Sequence, residues 1–510
     1  MKRTQHTAAL LCAAMLTGTC TVAALPAPAA VYAEEVSTYQ GLTYEQEYSE
    51  IVITGFTDDL PEELVIPAEI DGLPVAKIGA YALRGAPITS VTIPEGVRVI
   101  EDNAFTACAA LSTVTLPESI EKIGALAFAD TEWMRNHPYN VEGKFMVEQN
   151  ILLAADRRAC DGEVVIPDGI RYIAGQAFRC CEMTAVSIPE TVTGLGYGAF
   201  EGCTQLLAVT IPEGVFEIGK YAFSDCRLME TISFPSTICS IGDGAFLGCD
   251  LLETVTFSEE AHSLNVIPFN AFRSCVKLRS INLPDSVYTI GDFAFFNCIA
   301  LTDIELPQRF RSMGAYAFDC CYSLDDVTIP GLMDTIPECA FTACDQLTEI
   351  TVPVNITEVG QQAFWMCKGL QKITFLNPDC KIYDAADTIS TERNGRFNGV
   401  IVGYEGSEAQ KYAEKYACTF ESLGEIPELQ TGDINGDGSV DAADAQRTLY
   451  AYVYSLAQLP DGLCAYQRTA ADVDGDSAVT CCDAQIILRH YTYEVSGQNI
   501  RWEALLPKAK

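Results

Sequence analysis

Positive charge is scarce in this sequence. Its 510 residues carry 32 Lys and Arg against 69 Asp and Glu, a net charge of −37. No basic run exceeds two residues. A nucleic-acid binder needs a basic face to displace counterions from phosphates, so that class is excluded, and anionic membrane surfaces are disfavoured on the same ground. Histidine is scarcer still. Of four, His137, His262 and His490 lie beyond the N-terminal leader and far from one another, so no Ser-His-Asp or Cys-His pairing is suggested. HExxH and Gly-rich phosphate loops are missing too. Only three Trp are present and no aromatic column falls on the expected strands, which disfavours polysaccharide recognition. The expectation is a protein that is not an enzyme.

Apolar runs of membrane-spanning length are missing after the leader, so no membrane span is expected. The leader itself has Lys2 and Arg3, an apolar stretch from Ala8 to Leu25 and "VYA" before a cleavage point after Ala33. It reads as a signal peptide over residues 1–33. Cys20 is preceded by Thr where a lipoprotein signal has a small residue, so an exported, unanchored protein is expected.

What the chain has in quantity is a repeat. The cassette "VTIPEGVxxIGxxAFxxCxxLxx" recurs mostly at 23-residue steps, marked by Phe105, Phe128, Phe178, Phe200, Phe223, Phe246, Phe272, Phe295, Phe318, Phe341 and Phe364. Ten of these eleven have Cys three positions later, from Cys108 and Cys181 to Cys344 and Cys367. A fixed period in this range is the signature of a solenoid, in which each unit buries its apolar face only against its neighbours. "LxxVTIP" reads as a short strand stopped by Pro. "VxxIGxxAF" has spacings that suit a helical or 3₁₀ turn behind it. The 22 Cys would ordinarily indicate disulfides in an exported protein, but their period places them in a ladder of packed thiols near backbone carbonyls. The adjacent pairs Cys180–Cys181 and Cys320–Cys321 stay open.

The pattern resembles the BspA-like leucine-rich repeat family, on motifs such as "AFEGCTQLLAVTIP" (Ala199 to Pro212). The resemblance covers about residues 65–375. It implies an α/β solenoid with a parallel sheet on its concave face. Residues 131–163 interrupt the array, with a small β excursion expected, and "SEEAHSLNVIPFNAF" carries three extra residues that should bulge one turn. Residues 400–424 mix a strand, a short amphipathic helix and a strand, which suits a terminal cap. Caps included, the solenoid is assigned residues 34–424. Outward strand positions are mostly Thr or Ser, with Asn282, Glu305 and nearby acids at Asp303, Asp326 and Glu349. They read either as a solvated face of β-favouring residues or as an acidic patch for a basic protein or a cation.

After a linker over residues 425–430, two twelve-residue stretches stand out. "DINGDGSVDAAD" places oxygen donors at Asp433, Asn435, Asp437, Asp441 and Asp444, with a backbone carbonyl at Ser439. "DVDGDSAVTCCD" repeats this 39 residues on with Asp472, Asp474, Asp476, Thr480 and Asp483, and a carbonyl at Ala478. Ca²⁺ is a hard cation seeking about seven oxygens, and duplication argues against accident. Position six is Gly438 in the first loop but Ser477 in the second, a source of strain there. Both loops run into the same helix start, "DAQ".

This duplicated loop-plus-helix resembles a type I dockerin, a small all-α calcium-binding domain, over residues 431–497, with a tail over 498–510. An EF-hand pair would have a helix before each loop and Glu at position twelve; here Gly and Pro precede the first loop and Asp fills position twelve twice. The resemblance implies two Ca²⁺ ions and docking onto a cohesin domain of a scaffoldin. The family's recognition positions fall on Ala442, Ala443, Leu449 and Tyr450 in the first copy, and on Cys481, Cys482, Leu488 and Arg489 in the second. The copies match there only in their leucines, so one preferred docking face is expected. The whole reads as a secreted, non-catalytic cellulosome component, held at the cell surface through a scaffoldin, whose array binds an unidentified protein. A freestanding calcium-binding surface protein and an enzyme with its site in the repeat region are the rival readings.

Overall fold

The computed structural model describes residues 37–426, 428–435, 438–457, 461–498 and 500–505. The leader, its cleavage point and Asp437 lie outside the described residues.

One cassette explains the array. Leu206 and Val209 point inward from the strand Ala208–Thr210, while Ala208 and Thr210 face out. Pro212, lacking an N–H, ends the strand, and its carbonyl accepts from Val215 to turn the chain. A second strand of two residues, Glu217–Ile218, follows. Gly219, Ala222, Phe223 and Cys226 then carry the chain back across the core. Stacking these units gives a parallel seven-stranded sheet from Asp161–Val165 to Asp303–Glu305, and a second sheet built from the two-residue strands. This is a β-solenoid.

The return segment differs from the helical or 3₁₀ turn that its spacing predicts, and the reason is where its amides point. Tyr221 and Asp225 both adopt left-handed backbone, φ 56° and 57°. That alternation splits the hydrogen bonds. Tyr221, Phe223 and Asp225 donate to Asp243, Ala245 and Leu247 of the next unit at 2.7–2.9 Å, while Ala222, Ser224 and Cys226 donate within their own unit. Bonds between units displace the helical ladder, so the solenoid's units contain strands and turns only.

Ring stacking runs through the core. Phe178, Phe200, Phe223, Phe246, Phe272, Phe295, Phe318, Phe341 and Phe364 stack at 5.0–5.6 Å between centroids, their planes within 10°. Backbones approach as closely as the rings. A Cβ added to Gly242 would lie 2.3 Å from the Lys220 amide nitrogen in the unit below. Beside the rings, thiols donate to the carbonyl of the residue at the ring position one unit earlier: Cys226 to Phe200 at 3.3 Å, Cys249 to Phe223 at 3.2 Å, Cys298 to Phe272 at 3.1 Å. None of the described cysteines is bridged, Cys180, Cys181, Cys320 and Cys321 included.

Two interruptions have visible effects. In residues 131–163 a short helix, α1 (Glu132–Asn136), is capped by Thr131, and Phe145–Glu148 pairs antiparallel with Ile151–Ala155. The ring ladder breaks here: Trp133 closes one stack edge-on to Phe128, and Phe145 closes the other edge-on to Phe178. His137 Nε2 donates to Glu148 Oε1, 3.0 Å away, and its ring meets Trp133 edge-on, so that pair braces the hairpin. The three extra residues fall in an irregular stretch that separates Ser240–Ile241 from Val266–Ile267. The second sheet breaks there while the first continues.

The array ends in non-repeating structure. Antiparallel strands Ser37–Tyr39, Leu42–Glu47 and Glu50–Phe56 cover one end. Strand Val400–Gly403, helix α2 (Glu408–Lys415) and strand Thr419–Ser422 cover the other. Helices α3 (Ala442–Leu456), α4 (Ala465–Ala471) and α5 (Cys481–Val495) form a separate small core around Ile434, Val440, Val473, Ile486 and Ile487. No helix among the described residues is long and apolar enough to cross a membrane.

Candidate metal and docking site

The two acidic loops are held in shape by the last Asp of each. Asp444 is fully buried; its Oδ1 accepts from the amides of Ile434 and Asn435 at 2.8 and 3.1 Å, and its Oδ2 from Asp441 at 2.9 Å. Asp483 repeats the pattern with the amides of Val473, Asp474 and Thr480, adding the Thr480 hydroxyl at 3.0 Å. A buried carboxylate is tolerable only when such donors replace water. Each Asp thereby ties the start of its loop to the first turn of its helix. Asp441 and Thr480 are the N-caps of α3 and α5, accepting from Ala443 at 2.7 Å and Cys482 at 3.1 Å.

The remaining acids converge inside the second loop. Carboxylate oxygens of Asp472, Asp474 and Asp476 lie within 4.8 Å of one another. Asp472 accepts from the amides of Gly475 and Ser477, each at 2.9 Å, which curls the loop around it. Burial, reinforced by Asp483 and the other two carboxylates, pushes the Asp474 carboxyl above its usual range. Three mutually repelling carboxylates in an all-oxygen donor set fit a hard cation such as Ca²⁺. Asp483 stands outside that group of three, its oxygens directed to backbone amides. In the first loop Asp433 accepts from Gly438 at 3.0 Å. Ser477 sits at φ 70°, where its counterpart Gly438 has φ 85°.

The recognition positions are at the surface. Ala442, Ala443, Leu449 and Tyr450 are exposed on α3; Cys482, Leu488 and Arg489 are exposed on α5, with Cys481 half-buried beside them. The leucines match in exposure as in sequence, 43% for Leu449 and 46% for Leu488.

Several residues of this module were not anticipated. Helix α4 precedes the second loop, and its Gln467 donates to the Ile434 carbonyl at 3.0 Å, bracing the first loop from the second copy. Trp502 stacks on His490 with centroids 4.0 Å apart and lies over Gly432, where a Cβ would come within 2.6 Å of the indole. The end of the module thus closes over its beginning. On the array the outward strand positions are mostly exposed Thr and Ser, with Asn282 and Glu305 exposed among them and Ser233 and Thr374 half-buried. A row of aromatics does occur elsewhere, at Phe269, Phe293 and Tyr316, but its rings pack on one another: Phe293 and Tyr316 are 4.6 Å apart and 5° from parallel, and Phe269 meets Phe293 edge-on.

The profile of the BspA type leucine rich repeat region matches residues 75–140, 162–266 and 265–386 in six copies, more than half of the sequence. The chain belongs to this family. Beyond the BspA-type array, the profile of the Dockerin type I domain matches residues 431–492, so the C-terminal module is a type I dockerin. Such domains generally bind calcium and are associated with cohesin partners. Among solved structures, a leucine-rich repeat protein from Bacteroides ovatus ATCC 8483 is 23% identical, with a TM-score of 0.36, covering 66% of this chain and 94% of its own. A leucine rich cell surface protein from Faecalibacterium prausnitzii A2-165 is 23% identical, with a TM-score of 0.30, covering 70% and 98%. No curated protein matches the chain.

Proposed function

We propose that the protein is a secreted, non-catalytic component of a cellulosome-type assembly. Its dockerin, residues 431–497 beyond a linker over 425–430, takes up two Ca²⁺ ions and docks onto a cohesin of a scaffoldin. In each loop the ion would be held by the side chains named above (Asp433, Asn435, Asp437, Asp441 and Asp444; Asp472, Asp474, Asp476, Thr480 and Asp483) and by the carbonyls of Ser439 and Ala478. The array over residues 34–424 serves protein binding or adhesion, with cell-surface location following from the scaffoldin. The observation that carries this reading is the duplicated acidic loop, each copy locked by a buried Asp to a helix with an exposed recognition face.

Calorimetry of the full chain against a panel of cohesins, with calcium and then with chelator, tests it. Calcium-dependent binding that Asp433→Ala with Asp472→Ala abolishes is the expected result. Chelation should also melt residues 433–493 and leave the array transition in place, because ligand carboxylates repel without the ion and binding energy is folding energy. Calcium uptake with no cohesin partner would favour a freestanding calcium-binding protein instead.

A further inference from the structure

The two halves of the dockerin are not equally approachable. One side of α3, bearing Ala443, Arg447, Tyr450 and Tyr454, lines a cleft of about 770 Å³ whose opposite wall is the array, including Tyr288 and Arg311. The spacing of those four residues puts them on one helical face, and two of them are recognition positions of the first copy. The cleft is bridged at one point. The Arg311 guanidinium lies 5.8 Å from the ring centre of Tyr288 and 5.5 Å from that of Tyr454, a cation between one ring of the array and one of the dockerin. Within the cleft the Tyr450 hydroxyl accepts from Gln446 at 2.8 Å, which fixes the ring's direction.

Size decides what can reach that face. A cleft of this volume falls in the range of small-molecule sites, about 300–1,000 Å³. A stable protein interface instead lays down about 800 Å² from each partner. Tyr450 is 52% exposed, and it lines a cleft whose opposite wall belongs to the array. On α5 the matching positions are Cys482, Ile486, Arg489 and Tyr493, of which Cys482 and Arg489 are exposed; with the exposed Gln485 and Leu488 beside them they form a face none of whose residues lines the cleft.

We infer that the cohesin docks on the α5 face alone, because the array stands across the cleft from the α3 face and crowds a protein partner there. This rests on the docking reading above, and it makes the solenoid the part that selects between two related surfaces. It also fixes the orientation in which the array is displayed, since only one of the two faces is taken.

Hydrogen exchange of the full chain in excess calcium, with and without the cohesin that binds it, reads the docked face directly. Slowed exchange over residues 481–495 with residues 442–456 unchanged is expected. Leu488→Glu with Arg489→Glu should weaken binding about thirtyfold or more, while its calcium-dependent melt stays at the wild-type temperature. Protection over residues 442–456, alone or together with 481–495, overturns the inference and leaves the docking reading standing. So does a folded Leu488→Glu, Arg489→Glu variant that binds like wild type. Failure of the wild-type chain to bind every cohesin in calcium overturns both.

Discussion

Truncating Phe246 to Ala removes a buried ring that packs on three others. Phe246 is fully buried and stacks on Phe223 at 5.5 Å and Phe272 at 5.3 Å, with Phe234 edge-on at 5.6 Å. Losing a buried Phe costs about 3–5 kcal/mol through transfer and cavity terms, and each aromatic pair adds about 0.5–1.5 kcal/mol beyond burial. Part of the ring contribution is already in the first figure, so about 4–6 kcal/mol is expected. Phe105 is equally buried but stacks on one ring, Phe128, at 5.1 Å. With two fewer pairs, Phe105→Ala should cost less by about 1–3 kcal/mol. Phe246→Leu retains most of the apolar burial and loses the pairs, so it should fall between wild type and Ala. Urea unfolding of the full chain, followed by circular dichroism in calcium, measures all three on the array transition. Equal costs for Phe246→Ala and Phe105→Ala, or a Leu variant as unstable as the Ala variant, would refute stacking as a separate source of stability.

Two further outcomes are expected. Ser477→Gly relieves left-handed strain worth about 1 kcal/mol, partly offset by glycine's greater freedom when unfolded, so the calcium-loaded dockerin should melt slightly higher; a lower melting temperature contradicts the strain. Iodoacetamide at about pH 9 should label the native protein at Cys239 and Cys482, which are exposed. Cys249, Cys275 and Cys298 should stay unlabelled, because burial pushes their thiols up, that of Cys298 to about 12, and thiolate is the reactive form; ladder cysteines alkylated at that pH without unfolding would show the buried thiols to be accessible.

The parts legible in the sequence were those whose cause is local. A strand closed by Pro212, a Phe every 23 residues and a Cys beside it state their own packing, and the two "DAQ" helix starts state theirs. The return segment misled because its apolar spacing also suits a helical turn. What overrides that spacing is the pair of left-handed residues bracketing Ala222 and Phe223. The paired glycines Gly198 and Gly202, and Gly244 and Gly248, hold the same positions and were the available signal, but other units place Asn, Gln, Tyr or Asp there and hide it. Helix α4 escaped notice because its N-cap is Cys464, not a residue that announces a helix start. Trp502 over Gly432 joins positions seventy residues apart, and nothing in either neighbourhood names the other. The cleft beside α3 is a product of how two domains meet, which a one-dimensional pattern does not encode.

The ring ladder has a consequence for how such a chain changes length. From Phe178 to Phe364 every interface is the same joint, Phe on Phe at nearly one spacing, with the same Cys-to-carbonyl bond beside it. A cassette duplicated or deleted in the gene therefore creates no junction that the others have not already made. The two caps keep their own contacts, and the reach between them shifts by about one ring separation per cassette. The structure behaves as an adjustable spacer whose increments are set by the thickness of stacked phenyl rings.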